Sequence, residues 1–276
     1  MKWLQFILSH SIFVAICSVA LAFQTVQLLR LSHNFFLYGF IFFATLCSYN
    51  FYWLLSKTAL SKKIQLNEIF QKERTGLFLM FFSGVGFVFC FLKSGLDISF
   101  ALYATILTIV YAVPLLPFKF LRFTRKAGVL KTLLLAFTWA YVTVLIPLQK
   151  NYWMLDNADL FVFTRRFLFM LMLCIIFDNR DKNVDKIRGL HSLATDLKPL
   201  AFNLLVCIVF VVLFVSNFFY NSFHIHFYHS IGLQVSTLAL LFVYFFSLKK
   251  RGYLFYYFIV DGMMLFSAIA TLVAGI

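Results

Sequence analysis

Apolar residues fill this chain in long runs, broken at intervals by short polar or charged stretches. The runs are close to the roughly 20 residues that carry a helix across a bilayer core of about 30 Å. Nine can be marked, at about 10–29, 35–56, 75–92, 98–116, 130–148, 160–178, 199–219, 228–248 and 253–274. The pattern predicts an all-α polytopic membrane protein, a bundle of about nine transmembrane helices built by residues 1–276 as one domain. Short connectors leave no room for a separate soluble domain. The first run follows Lys2 and contains Ala20-Leu21-Ala22, which resembles a signal-cleavage site, but it continues apolar to Leu29 and is read as a span.

Composition sharpens the assignment. Of 276 residues, 63% are hydrophobic and 20% aromatic, and only 12% are charged, whereas a soluble domain is about 45–50% apolar. The five cysteines, Cys17, Cys47, Cys90, Cys174 and Cys207, fall inside apolar stretches without the short spacing of a metal clip or redox motif, and are read as packing residues. The 39 phenylalanines carry no functional weight, because any apolar residue serves at a lipid-facing position.

Charge sets an orientation. With nine spans, the N-terminus and the second, fourth, sixth and eighth connectors lie on one side, and they hold 19 of the 24 Lys and Arg residues. The other side holds Arg30, Lys93, Lys150, Arg165 and Arg166. The positive-inside rule therefore predicts a cytoplasmic N-terminus and an outer C-terminus. The net charge of +14 is accounted for by topology, with no nucleic acid as partner.

Three of the ten acidic residues, Asp178, Asp181 and Asp185, fall within eight positions where the sixth span reaches the cytoplasm. Spacing of i, i+3 and i+7 places them in one stripe of a helix, since successive residues advance by about 100°. Asp178 could pair with Lys182, which leaves Asp181 and Asp185 as like charges one turn apart. At about 6 Å and an effective dielectric near 20 their repulsion is roughly 3 kcal/mol before screening. A magnesium ion would relieve it, being commonly held by one or two carboxylates with phosphate oxygens and water. A solvated loop is the competing reading. The fourth connector, Tyr111-Ala112-Val113-Pro114-Leu115-Leu116-Pro117-Phe118-Lys119-Phe120-Leu121-Arg122 with Arg125 and Lys126, faces the same side. Lys119 and Arg122 leave the membrane first, as candidates for holding phosphate oxygens or as plain positive-inside anchors.

These residues resemble the UbiA-type intramembrane prenyltransferases. Asn179-Arg180-Asp181-Lys182-Asn183-Val184-Asp185, followed by Lys186-Ile187-Arg188-Gly189, is similar to that family's second aspartate-rich motif, and the Tyr-Pro-Leu-Leu-Pro…Lys…Arg segment is similar to its basic connector. The resemblance covers essentially the whole chain. It implies a central cavity in which a polyprenyl diphosphate binds, loses diphosphate to give an allylic cation, and alkylates an aromatic or otherwise electron-rich hydrophobic acceptor. On that transfer Asp181 and Asp185 are metal ligands for Mg2+ and catalytic residues, with Asp178 a nearby helper as a third metal-ligand and substrate-binding candidate. Lys119, Arg122, Arg180 and Asn50 would then contact the substrate.

One departure stands out. The family's first aspartate-rich motif falls on Tyr49-Asn50-Phe51-Tyr52-Trp53-Leu54-Leu55-Ser56-Lys57-Thr58, where Phe51, Leu54 and Thr58 occupy the three aspartate positions and Asn50 alone matches. Either a reduced metal set works with the basic residues, or the bundle is a non-catalytic isoprenoid- or lipid-binding protein. Asp261, roughly 15 Å deep in the ninth span at 1.5 Å per residue, is a further substrate-binding candidate or an acid bonded to a neighbouring helix. It also keeps a small-molecule transporter in view, although no Gly/Pro-interrupted pair of helices occupies matching halves. His224, His226 and His229, with Tyr220 and Tyr228, read as an interfacial belt or a metal site on the outer side. Glu68 and Glu73, alternating with lysines, read as a surface helix or a solvated linker.

Overall fold

The protein is described from a computed structural model covering residues 2–60, 74–112, 128–188, 191–223 and 225–275. Lys119, Arg122, Glu68, Glu73 and His224 lie outside the described residues. The helices are α1 (Lys2–Ser9), α2 (Ile12–Leu28), α3 (Phe35–Leu60), α4 (Arg74–Ser94), α5 (Ile98–Ala112), α6 (Gly128–Leu148) and α7 (Asn157–Arg188). They continue as α8 (Leu193–Asp196), α9 (Pro199–Ser216), α10 (Phe227–Ser247) and α11 (Phe255–Ala274). Among the described residues all regular structure is helical.

Among the described residues seven helices are long and apolar enough to cross a membrane: α3, α4, α6, α7, α9 continued to Phe219, α10 and α11. Of the other two expected spans, the first, 10–29, is α2 at Ile12–Leu28, and the fourth, 98–116, is described only as far as Ala112. Ahead of α2 the chain turns at Ser11, whose φ of 60° puts a non-glycine residue in the left-handed region, and α1 meets α2 at 69°. Trp3, Leu4 and Phe6 on α1 are exposed, the pattern of a short amphipathic helix lying along an apolar interface. The described part of the fourth run is the 15 residues of α5, about 22 Å at 1.5 Å per residue.

The outward faces are apolar. On α4, Phe78, Phe81, Phe82 and Phe89 all point away from the bundle, as helices solvated by lipid tails do. The interior is knitted by small and polar residues, which allow close approach where lipid supplies no hydrophobic drive between helices. At Gly232 on α10, a Cβ would stand 2.5 Å from the Ala270 carbonyl oxygen of α11. At Gly128, the first residue of α6, it would stand 2.3 Å from the backbone between His191 and Ser192.

Two apolar clusters make up the core. One gathers Phe169–Ile176 of α7 with Leu21, Trp139, Leu240 and Met264; the other gathers Val162 with Leu28, Phe40, Tyr141, Ile146 and Leu233. Between them lies a polar belt: Gln24 and Thr25 of α2, Thr143 of α6, Arg165 and Arg166 of α7, Ser236 and Thr237 of α10, and Ser267 of α11, all buried. Gln24 Nε2 donates to Ser267 Oγ at 3.0 Å and to Thr271 Oγ1 at 2.9 Å, and Thr25 Oγ1 donates to the Thr143 carbonyl at 2.8 Å. Single π-helical turns interrupt α6 at Tyr141–Leu145 and α11 at Phe255–Val260. Such turns re-aim neighbouring side chains and recur at functional sites.

Candidate functional site

The apolar run of the sixth span ends near 178, but α7 does not end there: it continues to Arg188 and carries the three aspartates on a continuous helix. Asp178 is drawn into the protein. Its Oδ2 accepts from Thr132 Oγ1 on α6 at 2.6 Å and from the Leu193 backbone N–H at the start of α8 at 3.1 Å. One carboxylate thus ties three helices together and faces the N-terminal end of α8, where backbone N–H groups favour negative charge. The approach of α6 to this turn requires the missing side chain of Gly128. His191 Nδ1, 2.6 Å from Asp196 Oδ1, closes the same turn.

Arg180 and Asp181 form a two-pronged pair, with Nε to Oδ1 at 2.8 Å and Nη2 to Oδ2 at 2.7 Å. The guanidinium lies 4.8 Å from the ring centre of Phe177, 5.0 Å from Tyr256 and 5.2 Å from Tyr257. The π-helical turn of α11 supplies both tyrosines. Arg binds carboxylates and phosphates through the same planar fork, and here Asp181 occupies it. Asp185 lies within electrostatic range of Asp178 on the shared face. Asp261 is buried at the end of the π-helical turn, in range of Arg180 and, across the bundle, of Tyr49.

Beside this cluster lies a cavity of about 350 Å³ between α3, α4, α5 and α6, within the size range of small-molecule sites. Its lining is aromatic and aliphatic, including Phe40, Tyr49, Tyr52, Tyr111 and Trp139, with the hydroxyls of several threonines. Trp139 Nε1 donates to Tyr49 Oη at 3.2 Å, while the rings of Tyr52 and Tyr111 stack with centres 5.2 Å apart. Tyr49 and Tyr111 both lie in range of Cys174, one turn of α7 before Asp178. The aromatic end of the cavity therefore adjoins the acidic end of α7. Lys131 bridges the two: its Nζ is 5.6 Å from the Tyr111 ring centre, and it lies in range of Asp178.

The expected site residues are thus distributed as follows. Asp178, Arg180, Asp181, Asp185 and Asp261 gather at one end of the bundle. Asn50 is buried in the crook of α1 and α2, donating through Nδ2 to the His10 carbonyl at 3.1 Å and to the Leu46 carbonyl at 2.8 Å. Its neighbours Tyr49, Phe51 and Tyr52 line the cavity, so the position of the first aspartate motif is given over to aromatic surface. Among the described residues no three His, Cys, Asp or Glu side chains converge as a metal held by protein alone would need. Asp181 and Asp185 lie one turn apart on α7, with both oxygens of Asp181 bonded to Arg180. At the opposite end, His226 contacts Arg30, and His229 Nδ1 lies 3.1 Å from the Thr271 carbonyl oxygen.

Sequence reasoning missed Lys131 because it reads as one more positive-inside charge. It also missed the burial of Arg165 and Arg166, which sit in the interior of α7 and not in a connector.

Compared with known proteins, the chain matches no family model and no curated protein sequence. It is similar in fold to a solved structure of a digeranylgeranylglyceryl phosphate synthase, described as acting in membranes, at a TM-score of 0.55 and 13% identity over 99% of both chains. An all-helical fold with seven spanning-length apolar helices, shared over its full length with a membrane enzyme, defines a multi-pass integral membrane protein.

Proposed function

We propose that the protein binds a polyprenyl diphosphate and transfers its prenyl group to a hydrophobic, electron-rich acceptor. The observation that carries this reading is the juxtaposition of an aromatic cavity with a cluster of acidic and basic side chains at one end of α7, bridged by Lys131. The likeness in fold to a prenyltransferase supports it.

On this reading the prenyl chain occupies the cavity and its diphosphate meets Lys131, Arg180 and the basic connector residues Lys119 and Arg122. With the Arg180–Asp181 pair opened by the incoming diphosphate, Asp181 and Asp185 would hold Mg2+, which supplies charge neutralisation for the departing diphosphate. Asp178, with both its donors inside the protein, is a positioning residue that fixes the α7 end against α6 and α8. The allylic C–O bond breaks with its electron pair leaving on diphosphate, and the acceptor's electrons form the new C–C or C–heteroatom bond as a proton departs. Cationic side chains aimed at the leaving group stabilise the charge that develops there. Tyr49, Tyr52, Tyr111 and Trp139 present π faces to the carbocation and exclude water. Charge asymmetry supports a cytoplasmic N-terminus and site, with the C-terminus outside.

A non-catalytic isoprenoid-binding protein is the second reading, favoured by the aromatic residues at the first aspartate motif. Turnover separates the two. Purified protein given a radiolabelled prenyl diphosphate, magnesium and a panel of phenolic, quinone-precursor and lipid acceptors should release pyrophosphate in step with a labelled lipophilic product. Binding without pyrophosphate release across the panel would leave the second reading standing and remove the first.

A further inference from the structure

Arg165 and Arg166 interrupt the core of the bundle between its two apolar clusters. They are 7% and 5% exposed, and among the described residues neither has a carboxylate partner. The nearest acid along the helix, Asp159, bonds Lys150 Nζ at 2.7 Å. Arg165 Nη1 donates to the Leu213 carbonyl at 2.8 Å and to Ser216 Oγ at 2.6 Å. Arg166 Nη2 donates to Gln24 Oε1 at 2.8 Å and to the Leu21 carbonyl at 3.1 Å. Among the described residues Arg166 Nη1 is buried with no hydrogen-bond partner.

Two adjacent buried guanidiniums, each without an opposite charge among the described residues, are among the costliest groups a bundle can bury. Neutral carbonyls and hydroxyls satisfy N–H groups but do not cancel charge. Both arginines line a cavity of about 20 Å³, together with Gln24, Ser236 and Ser267. That is space for a water-sized particle, and is too small for a four-oxygen anion or a lipid headgroup.

We propose that this cavity is a binding site for a small monatomic anion of the halide class. The anion takes the unpartnered Nη1 of Arg166 and offsets the Arg165/Arg166 charge pair. The site lies in the half of the bundle away from Asp181 and Asp185, and its occupancy locks α7 to α2, α10 and α11. It is independent of prenyl diphosphate binding.

The test uses the full chain in detergent in sodium gluconate, whose organic anion cannot enter the cavity. Chloride or bromide replaces gluconate at constant ionic strength while the unfolding temperature is followed by tryptophan fluorescence. The expected result is a rise that saturates hyperbolically, as ligand linkage requires. Apparent affinity should fall about tenfold or more in Arg166→Gln, as loss of a charge-assisted contact dictates, and stay unchanged in Lys150→Gln. A native protein indifferent to halide, or one responding in the same way as Arg166→Gln, overturns the proposal. Should Arg166→Gln fail to fold, anomalous diffraction from bromide-soaked native crystals decides: a peak beside Arg166 Nη1 supports the site, and its absence refutes it.

Discussion

The carboxylate of Asp178 gives the sharpest separation between a structural and a chemical role for the aspartates. Its Oδ2 takes two protein donors, Thr132 Oγ1 at 2.6 Å and the Leu193 N–H at 3.1 Å. Hydrogen bonds to charged groups contribute about 1.5–3 kcal/mol each, and Asp178→Ala leaves the Leu193 N–H without this acceptor and the Thr132 hydroxyl with only the Gly128 carbonyl at 3.3 Å. We expect that variant to lose about 3 kcal/mol or more of stability. Thr132→Val removes one donor and keeps the shape of the side chain. In a cycle with Asp178→Asn, the Thr132–Asp178 coupling should be about 1–2 kcal/mol, the upper part of the range seen between membrane helices. The assay is reversible unfolding in mixed micelles, followed by tryptophan fluorescence. Additive single and double variants, with coupling near zero, would refute the clamp. Asp181→Asn, which weakens a two-pronged but part-exposed pair with Arg180, should instead cost about 1 kcal/mol or less.

Two further outcomes follow from the geometry. Lys131→Met should weaken binding of a prenyl diphosphate by about tenfold while leaving that of the corresponding prenyl alcohol unchanged, measured by competition with a fluorescent prenyl analogue; equal effects on both would remove Lys131 from the head-group site. Gly232→Ala, whose new Cβ would lie 2.5 Å from the Ala270 carbonyl oxygen, should cost about 1–3 kcal/mol through forced separation of α10 and α11, and an unchanged unfolding midpoint would show that the helices separate freely.

The long helices were legible because apolar runs bounded by charge report the bilayer directly. The run expected at 228–248 is α10 at Phe227–Ser247, and the one at 75–92 is α4 at Arg74–Ser94. Hydropathy failed where helix and membrane part company. Residues 179–188 are polar but include good helix formers such as Arg and Lys, so α7 continues about two and a half turns beyond its apolar part. The break at Ser11 is a backbone event inside an apolar run, marked in sequence only by Ser9-His10-Ser11. The aspartate stripe was legible as a helical spacing. That Asp178 turns to Thr132 and Leu193, while Asp181 pairs with Arg180, depends on the approach of α6 and α8, which no periodicity encodes. Arg165 and Arg166 were taken for connector charges because burying two unpaired cations runs against every local preference.

The central claim is that the end of α7 and the adjoining cavity bind a prenyl diphosphate. Equilibrium binding of a long-chain prenyl diphosphate to the purified protein, with magnesium and with chelator, tests it most directly when repeated on Asp181→Asn/Asp185→Asn. The account predicts magnesium-dependent, saturable binding to the native protein that falls about a hundredfold in the double variant, consistent with the loss of two charge-assisted contacts. Absence of binding to the native protein, or equal binding to both, would contradict it.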